Sequence, residues 1–452
     1  NRDISMINKK NQQLSWRSQI SHLPVFHLKV PHLKIVASLL ALSLSSLQVS
    51  ALETTIDLGA GLEHTSNALK SATSEQSELE QNVIAGVGLN HQGASVVAEI
   101  DYRVEFTAFD KGTQNDETAI TGDASIVYEQ IDQQLYWTLE NSRRNLVSDR
   151  SLTNIQSNRE DRSISTISPE LILRPSAADA LYTRLSYSDI RYDSSDQQDS
   201  TSTGASLSWQ RNLSKVDIAS LSLNYQDVSF DSGFNDYEYY RATIGYSAAL
   251  SRLSYDIALG YNESQRDSGN ISGGYFQAGA TYQDGSSGWR MSVLRELTDT
   301  SRGNNNGDFT GLDEFGSSAL EVDVFERTNV ELEYNNSAVC AACVFSAAVL
   351  LDSEDYEELD NDTDEYAFRT SLTYQLSRLL SLRGQLGYRD VGFKNNAIRD
   401  DYTITNAGFS VNQAVTRQFS IVYSLAYEER DSRAASGDYD ELRGGVRVAY
   451  LF

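Results

Sequence analysis

The chain has 452 residues, a formal net charge of -26 and 40% hydrophobic residues. No apolar run approaches the roughly 18 residues that a membrane-spanning helix needs, and a surface of this charge repels nucleic acid. Only 4 Pro occur and no linker rich in Pro, Gly or Ser divides the chain, so the composition favours one large repetitive architecture.

The first 51 residues have the features of a secretory signal. Several Lys and Arg residues precede the apolar run IVASLLALSLSSL, and Val49 and Ala51 then occupy the small-residue positions of a signal-peptidase site. A run of about 13 residues is too short to span a membrane, which disfavours an anchoring helix. We therefore predict a leader over residues 1–51 and one domain over residues 52–452.

Beyond the leader, apolar residues recur with a period of two, which is typical of strands. In RLSYDIALGYN, one face holds Leu253, Tyr255, Ile257, Leu259 and Tyr261, while small and polar residues occupy the other. About 20 such segments follow one another, each of roughly 10 to 15 residues, the length that a tilted strand needs to cross a bilayer.

The connections between these segments alternate between two kinds. Short turns such as HQGA, RNLSK and AVTR alternate with longer polar links such as TSNALKSATSEQSE, SQRDSGN and DSEDYEELDNDTDE. Short turns at one rim and long loops at the other are the pattern of bacterial outer-membrane barrels. We predict an all-β fold, a single antiparallel up-and-down transmembrane β-barrel of about 20 strands (18 to 20), in the outer membrane of a Gram-negative cell. A soluble sandwich or propeller would not explain the rim asymmetry.

The sequence gives little support for an enzyme, and we predict no catalytic site, cofactor or metal site. After the leader only His64 and His91 remain, and neither lies in a Ser/His/Asp or metal-ligand arrangement. A hydrolase assembled from distant residues is the weakest of the alternatives.

Residues 352–365 hold nine carboxylates, and we predict a solvated extracellular loop there. The alternative is a segment that binds divalent cations and bridges them to lipopolysaccharide or polysaccharide. Asp360, Asp362 and Asp364 have the opening spacing of a calcium loop, but Glu365 stands where such a loop requires Gly.

Cys340 and Cys343 form the quartet CAAC, for which three interpretations are open. The residues are small apolar parts of the wall, a structural disulfide, or a redox or metal site. Residues three apart in a regular strand are too distant for a disulfide, so a bridge requires that the quartet lie in a turn after Asn335 and Asn336.

The polar faces of the strands are expected to line the lumen, because an arginine on the lipid face costs about 2 to 4 kcal/mol near the midplane. This places six charged residues inside: Arg184, Arg241, Asp256, Arg369, Arg383 and Arg389. The arginines either form a ladder for an anionic or polyhydroxylated passenger such as a polysaccharide, or pair with lumen carboxylates in a structural role.

Four segments resemble those of a known family: SPELILRPSAADALYTRLSYSDIRYD, SWQRNLSKVDIASLSLNYQDVSFD, LSRLLSLRGQLGYRD and YDELRGGVRVAYLF. They are similar to strands and turns of outer-membrane β-barrels associated with PEP-CTERM/exosortase systems, which are related to porin-like barrels found with exopolysaccharide genes. The resemblance implies an outer-membrane location and a link to export or anchoring of extracellular polysaccharide. It supplies no catalytic residues.

The last segment, ELRGGVRVAYLF, alternates up to a terminal aromatic residue. Val448, Tyr450 and Phe452 fall on its apolar face and resemble the signal by which the outer-membrane barrel assembly machinery recognises its clients. We expect this strand to pair with the first one, around Thr54 to Leu62, to close the wall.

These features predict a porin-like channel, linked to exopolysaccharide export. The alternative is a non-conducting structural or surface-attachment barrel, whose lumen is closed by inward-folded loops such as DTSRGNNNGDFTGLDEFG. The expected partners are outer-membrane lipid, lipopolysaccharide, the barrel assembly machinery and polysaccharide.

Overall fold

The computed structural model of the protein describes residues 52–194, 198–233, 236–299, 323–357, 362–394 and 400–452. The predicted leader at residues 1–51 lies outside the described residues, as does nearly all of the segment DTSRGNNNGDFTGLDEFG. Two complete single-turn 3-10 helices, Gln156–Asn158 and Ala435–Gly437, lie within the described residues. None of the described helices is long and apolar enough to cross a membrane.

Twenty antiparallel strands form one sheet, as the period-two pattern predicts. The strands are β1 (Leu52–Thr65), β2 (Glu78–Gln92), β3 (Val96–Phe109), β4 (Glu117–Ile131), β5 (Leu135–Val147), β6 (Arg159–Leu173), β7 (Asp179–Tyr192), β8 (Ser200–Asn212), β9 (Asp217–Phe230), β10 (Tyr237–Ala249), β11 (Leu253–Arg266), β12 (Gly269–Asp284), β13 (Ser287–Asp299), β14 (Val324–Asn336), β15 (Cys343–Tyr356), β16 (Thr363–Ser377), β17 (Leu380–Phe393), β18 (Tyr402–Ala414), β19 (Phe419–Ser432) and β20 (Tyr439–Leu451).

The sheet closes on itself, so the predicted barrel is confirmed. Each strand pairs with its neighbour along the chain, and β20 pairs with β1 over a register that runs from Asp57 opposite Leu451 to Thr65 opposite Arg443. The predicted partner segment, Thr54 to Leu62, is therefore correct to within three residues. Closure matters because an open sheet edge would leave backbone donors and acceptors unsatisfied in lipid.

The two rims differ as the sequence predicts. At one rim the turns are as short as two residues, Gly285–Ser286 between β12 and β13, whereas at the other the link between β1 and β2 covers residues 66–77. The segment SQRDSGN is an exception to the predicted long loops. Pairing of β11 with β12 continues to Arg266 opposite Gly269, so only two residues remain in that turn. By the rule for such barrels, the short turns face the periplasm and the long loops face outward.

The outer wall carries an apolar band. Side chains such as Ile244 and Leu259 leave 69% and 57% of their surface exposed, although they lie in the middle of paired strands. At the rim with the long loops, the band ends in tyrosines whose hydroxyl groups each donate a hydrogen bond to a carboxylate two residues away. The pairs are Tyr240 with Glu238, Tyr261 with Glu263, Tyr388 with Asp390, and Tyr427 with Glu429. Aromatic rings with a polar tip mark the membrane–water interface. The protein is thus a β-barrel of the Gram-negative outer membrane.

The C-terminal residue continues the closing seam. The backbone N–H of Phe452 donates to the carbonyl of Ile56 at 2.8 Å, and its ring lies edge-on against Tyr450 with 4.5 Å between the ring centroids. The Phe452 side chain nevertheless remains 59% exposed on the outside of the barrel. A protein that binds the edge of β20 before the barrel closes would therefore contact this ring directly.

Deleting Phe452 is predicted to lower the yield of assembled barrel in the outer membrane, because the deletion removes both the seam hydrogen bond and the exposed terminal ring. The amount of heat-modifiable barrel in outer-membrane fractions measures the effect. Phe419→Ala is the matched control, since Phe419 lies opposite Tyr450 at the same rim. An equal yield for the deletion and the control would contradict the prediction.

Candidate functional site

The predicted lumen arginines lie on the inner side of the wall, at positions that alternate with lipid-facing residues such as Leu185 and Leu386. Three of them form ion pairs there. The distances between the charged atoms are 2.6 Å from Arg184 to Glu170, 3.0 Å from Arg241 to Glu296 and 2.5 Å from Arg389 to Glu365. The guanidinium of Arg241 also lies 4.8 Å from the ring centroid of Tyr275, within range of a cation–π contact.

The remaining predicted residues differ in their surroundings. Arg369 lies between Ala348 and Gly387 in the sheet. Asp256 lies against Gly279, where a Cβ atom would fall 2.5 Å from a carboxylate oxygen, so glycine leaves room for the charge. Arg383 is exposed, and within the described residues it has no ion pair. Pairing of three arginines with neighbouring carboxylates favours the structural role over a continuous anion ladder.

The prediction of an extracellular loop over residues 352–365 is wrong for most of its length. β15 continues to Tyr356 and β16 begins at Thr363, and three of the carboxylates are buried inside the barrel. Their partners are Arg327 for Asp352, Arg150 for Glu354 and Arg389 for Glu365. Local composition could not reveal this, because every partner comes from another element.

Across the described part of the chain, no group of three or more His, Cys, Asp or Glu side chains could hold a metal ion.

Cys340 and Cys343 are joined by a disulfide. Their Cα atoms are 5.1 Å apart, because Cys340 lies in the turn after Asn336 and Cys343 opens β15. Of the three interpretations of the quartet, the structure therefore has the bridge in a turn. Its place at the periplasmic rim agrees with an oxidising compartment.

The extracellular end of the lumen is narrowed by the link between β5 and β6, residues 148–158, which we call the strap. Both terminal nitrogens of Arg150 lie 3.3 Å from the carboxylate of Glu354, and one also donates to the hydroxyl of Thr363 at 3.3 Å. β5 and β15 are ten strands apart in a ring of twenty, so they come from opposite sides. Arg150 follows the end of β5 by three residues, which span about 10 Å at most. The two walls therefore approach closely at this level.

The upper part of β13 and β14 also fills the lumen. Pairing between β12 and β13 ends at Phe276 opposite Arg295. Beyond this point the backbone N–H of Leu297 lies 2.7 Å from the side-chain oxygen of Asn262. This distance applies to the amide orientation of Asn262 in which both its oxygen and its nitrogen have hydrogen-bond partners. Leu297 and Val324 belong to one buried apolar cluster with inner-wall residues of β9 and β10: Val228, Phe230, Tyr237 and Tyr239. This end of the barrel is packed like the core of a soluble protein.

The periplasmic half of the lumen is lined by polar side chains. Its inner wall carries exposed charged side chains of both signs, namely Asp101, Arg103, Asp256, Arg383 and Arg447. The turns at this rim contain two to six residues, too few to fold across the opening. We call the space that these side chains line the vestibule. Within the described residues, the barrel therefore combines a packed extracellular half with a periplasmic half lined by exposed charged side chains.

Several residues that organise this interior were missed by the sequence analysis. Arg150 and Arg430 attach the strap, and Arg443 contacts three carboxylates on three strands: Glu63, Glu80 and Glu441. An isolated arginine in a polar loop such as VSDRSLTNIQSNREDR has no local signature of a cross-barrel contact. Arg443 lies on the polar face of the last segment, but alternation does not reveal its partners.

Comparisons with known proteins agree with the fold. Residues 358–452, which include β16 to β20, match a family model described as "Putative beta-barrel porin 2". No curated protein is significantly similar to the chain.

Solved outer-membrane proteins are among the structures that match this chain. OccK1 of Pseudomonas aeruginosa shares 9% identity over 88% of this chain and 99% of its own, with a TM-score of 0.40. The FrpB iron transporter of Neisseria meningitidis shares 9% identity over 89% of this chain and 83% of its own, with a TM-score of 0.46. Similarities at this level carry no information on substrate.

Arg389→Ser is predicted to lower the free energy of unfolding by about 3 to 5 kcal/mol, because Glu365 would remain as a buried charge without its partner. Arg389 is only 3% exposed. The matched change Arg383→Ser, on the same strand, should have an effect within about 0.5 kcal/mol, since its side chain is exposed. Denaturant unfolding in lipid vesicles measures both. Equal effects would contradict the assignment of Arg389 to a structural ion pair.

Proposed function

We propose that the protein is an outer-membrane channel for small polar or polyhydroxylated solutes, with a closed extracellular end in the conformation described. The vestibule carries this proposal, because exposed polar side chains of both signs line a lumen that twenty strands enclose. Barrels of 16 to 18 strands already leave an aqueous channel. A wet, enclosed lumen has no evident use in a barrel that only anchors to lipid.

The cargo that we propose is polysaccharide on its way out of the cell. The resemblance to barrels found with exopolysaccharide genes supports it, and so does the mixed sign of the vestibule wall. A neutral polyhydroxylated chain needs hydrogen-bond donors and acceptors rather than an excess of one charge. The vestibule opens toward the periplasm, the side from which an exported polymer arrives.

The membrane partners follow from the outer surface. Lipid and lipopolysaccharide would contact the apolar band and its tyrosine–carboxylate border, and the assembly machinery would recognise the strand that ends in Phe452. These partners are part of the proposal.

A non-conducting attachment barrel is the second candidate. The packed cluster of Leu297 and Val324 with β9 and β10, together with the strap, favours it, because both elements narrow the extracellular end. The two candidates differ in whether this end ever opens.

Single-channel recording on refolded protein in planar bilayers separates the two candidates. For a channel we expect discrete openings between long closed intervals, because the extracellular end is closed at rest. Vesicles that contain the protein should also swell in neutral oligosaccharide solutions faster than vesicles without it. Persistent electrical silence together with unchanged swelling would contradict the channel and support the attachment barrel.

A further inference from the structure

We propose that the strap is a gate of this channel and that the pair between Arg150 and Glu354 is its latch. The inference rests on the proposed channel function, although the latch itself can be tested without it. Its basis is a set of contacts that join a loop on one side of the barrel to the wall on the other.

Hydrogen bonds within the strap hold its residues together, so that it can move as one unit. The side chain of Asn158 ties its two ends together, since its amide oxygen accepts the backbone N–H of Asp149 at 2.9 Å and its amide nitrogen donates to the carbonyls of Asp149 and Thr153. The carboxylate of Asp149 in turn accepts the backbone N–H and the hydroxyl of Ser151. Internal hydrogen bonds of this kind remain when contacts with the rest of the barrel are broken.

Two arginines hold the strap against the wall, and the backbone N–H of Gln156 also donates to the side-chain oxygen of Gln114, in the link between β3 and β4, at 2.9 Å. The first is Arg150, whose guanidinium reaches Glu354 on β15 and Thr363 on β16. The second is Arg430 on β19, which donates to the carbonyls of Leu152 at 2.9 Å and Ser151 at 2.5 Å. The strap is therefore pinned between β15–β16 on one flank and β19 on the other.

The first attachment differs from two other buried ion pairs at this end of the barrel. The pairs of Arg327 with Asp352 and of Arg389 with Glu365 each join strands that are already neighbours in the sheet, so backbone hydrogen bonds hold those elements together as well. Arg150 and Glu354 belong to elements without strand pairing between them. Loss of the Arg150–Glu354 pair should therefore release the strap from β15 and β16 while the wall remains intact.

The latch is charged under ordinary conditions. Burial lowers the pKa of Arg150, but the carboxylates of Glu354 and Glu365 raise it by more, so that the pKa lies above its usual value. A raised arginine pKa keeps the guanidinium protonated throughout the physiological range. Because the pair is buried, salt screens it much less than it screens an exposed pair. The closed state is therefore stable until the strap itself is displaced.

Arg150→Ala and Glu354→Gln are the test variants, recorded in planar bilayers. We expect each to raise the open probability at least tenfold over the unmodified chain. The exchange Arg150→Glu with Glu354→Arg should restore part of the closure, because it rebuilds the pair with reversed polarity. Arg144→Ala is the matched control, since Arg144 lies near the strap but pairs with Asp123 within the sheet. It should leave the open probability unchanged. Heat modifiability confirms that each variant has folded.

A distance measurement tests the latch without reference to conduction. Spin labels at the exposed positions Leu152 of the strap and Glu357 beside β15 should give a narrow distance distribution in the unmodified chain and a longer, broader one with Arg150→Ala. A distribution that Arg150→Ala leaves unchanged would overturn the latch. A changed distribution without any openings would uphold the latch and count against the channel function.

Discussion

The constraint on which the whole structure depends is that backbone N–H and C=O groups find no water in the bilayer core. The chain satisfies this constraint because β20 pairs with β1, so that no strand of the membrane barrel has an open edge. Once the wall is closed, side chains alternate between lipid and lumen, and a chain of net charge -26 can reside in a membrane. The charges have only the lumen, the rims and the loops in which to lie.

That confinement explains the interior. Arginines and carboxylates that must avoid lipid meet one another inside, where burial makes an unpaired charge costly. Arg327 with Asp352 and Arg389 with Glu365 illustrate the result at the extracellular end, where the strap and the upper part of β13 and β14 exclude water. In the periplasmic half, Arg383 and Asp101 remain exposed. The two halves therefore differ in how far their charged side chains are buried.

Sequence patterns predicted the architecture well and the interior poorly, for a physical reason. Strand number, rim asymmetry and the closing strand depend on period-two alternation and turn length, which are local. The acidic segment at residues 352–365 was misassigned because its charges are neutralised by residues up to about 200 positions away, such as Arg150. Prediction of the disulfide between Cys340 and Cys343 depended on the residue at which one turn begins. Sequence propensity locates the ends of strands and turns only to within a few residues.

Thiol accessibility tests most directly whether the lumen is open to the periplasm and closed to the outside. Asn412→Cys places a thiol on the inner wall near the periplasmic rim, and Asp267→Cys places one in the outer turn between β11 and β12. A maleimide carried on a polymer too large to cross the outer membrane is added to intact cells, and then to cells with the periplasm opened. We expect Asp267→Cys to react in intact cells and Asn412→Cys to react only once the periplasm is accessible. Reaction of Asn412→Cys in intact cells at the rate of Asp267→Cys would contradict this expectation.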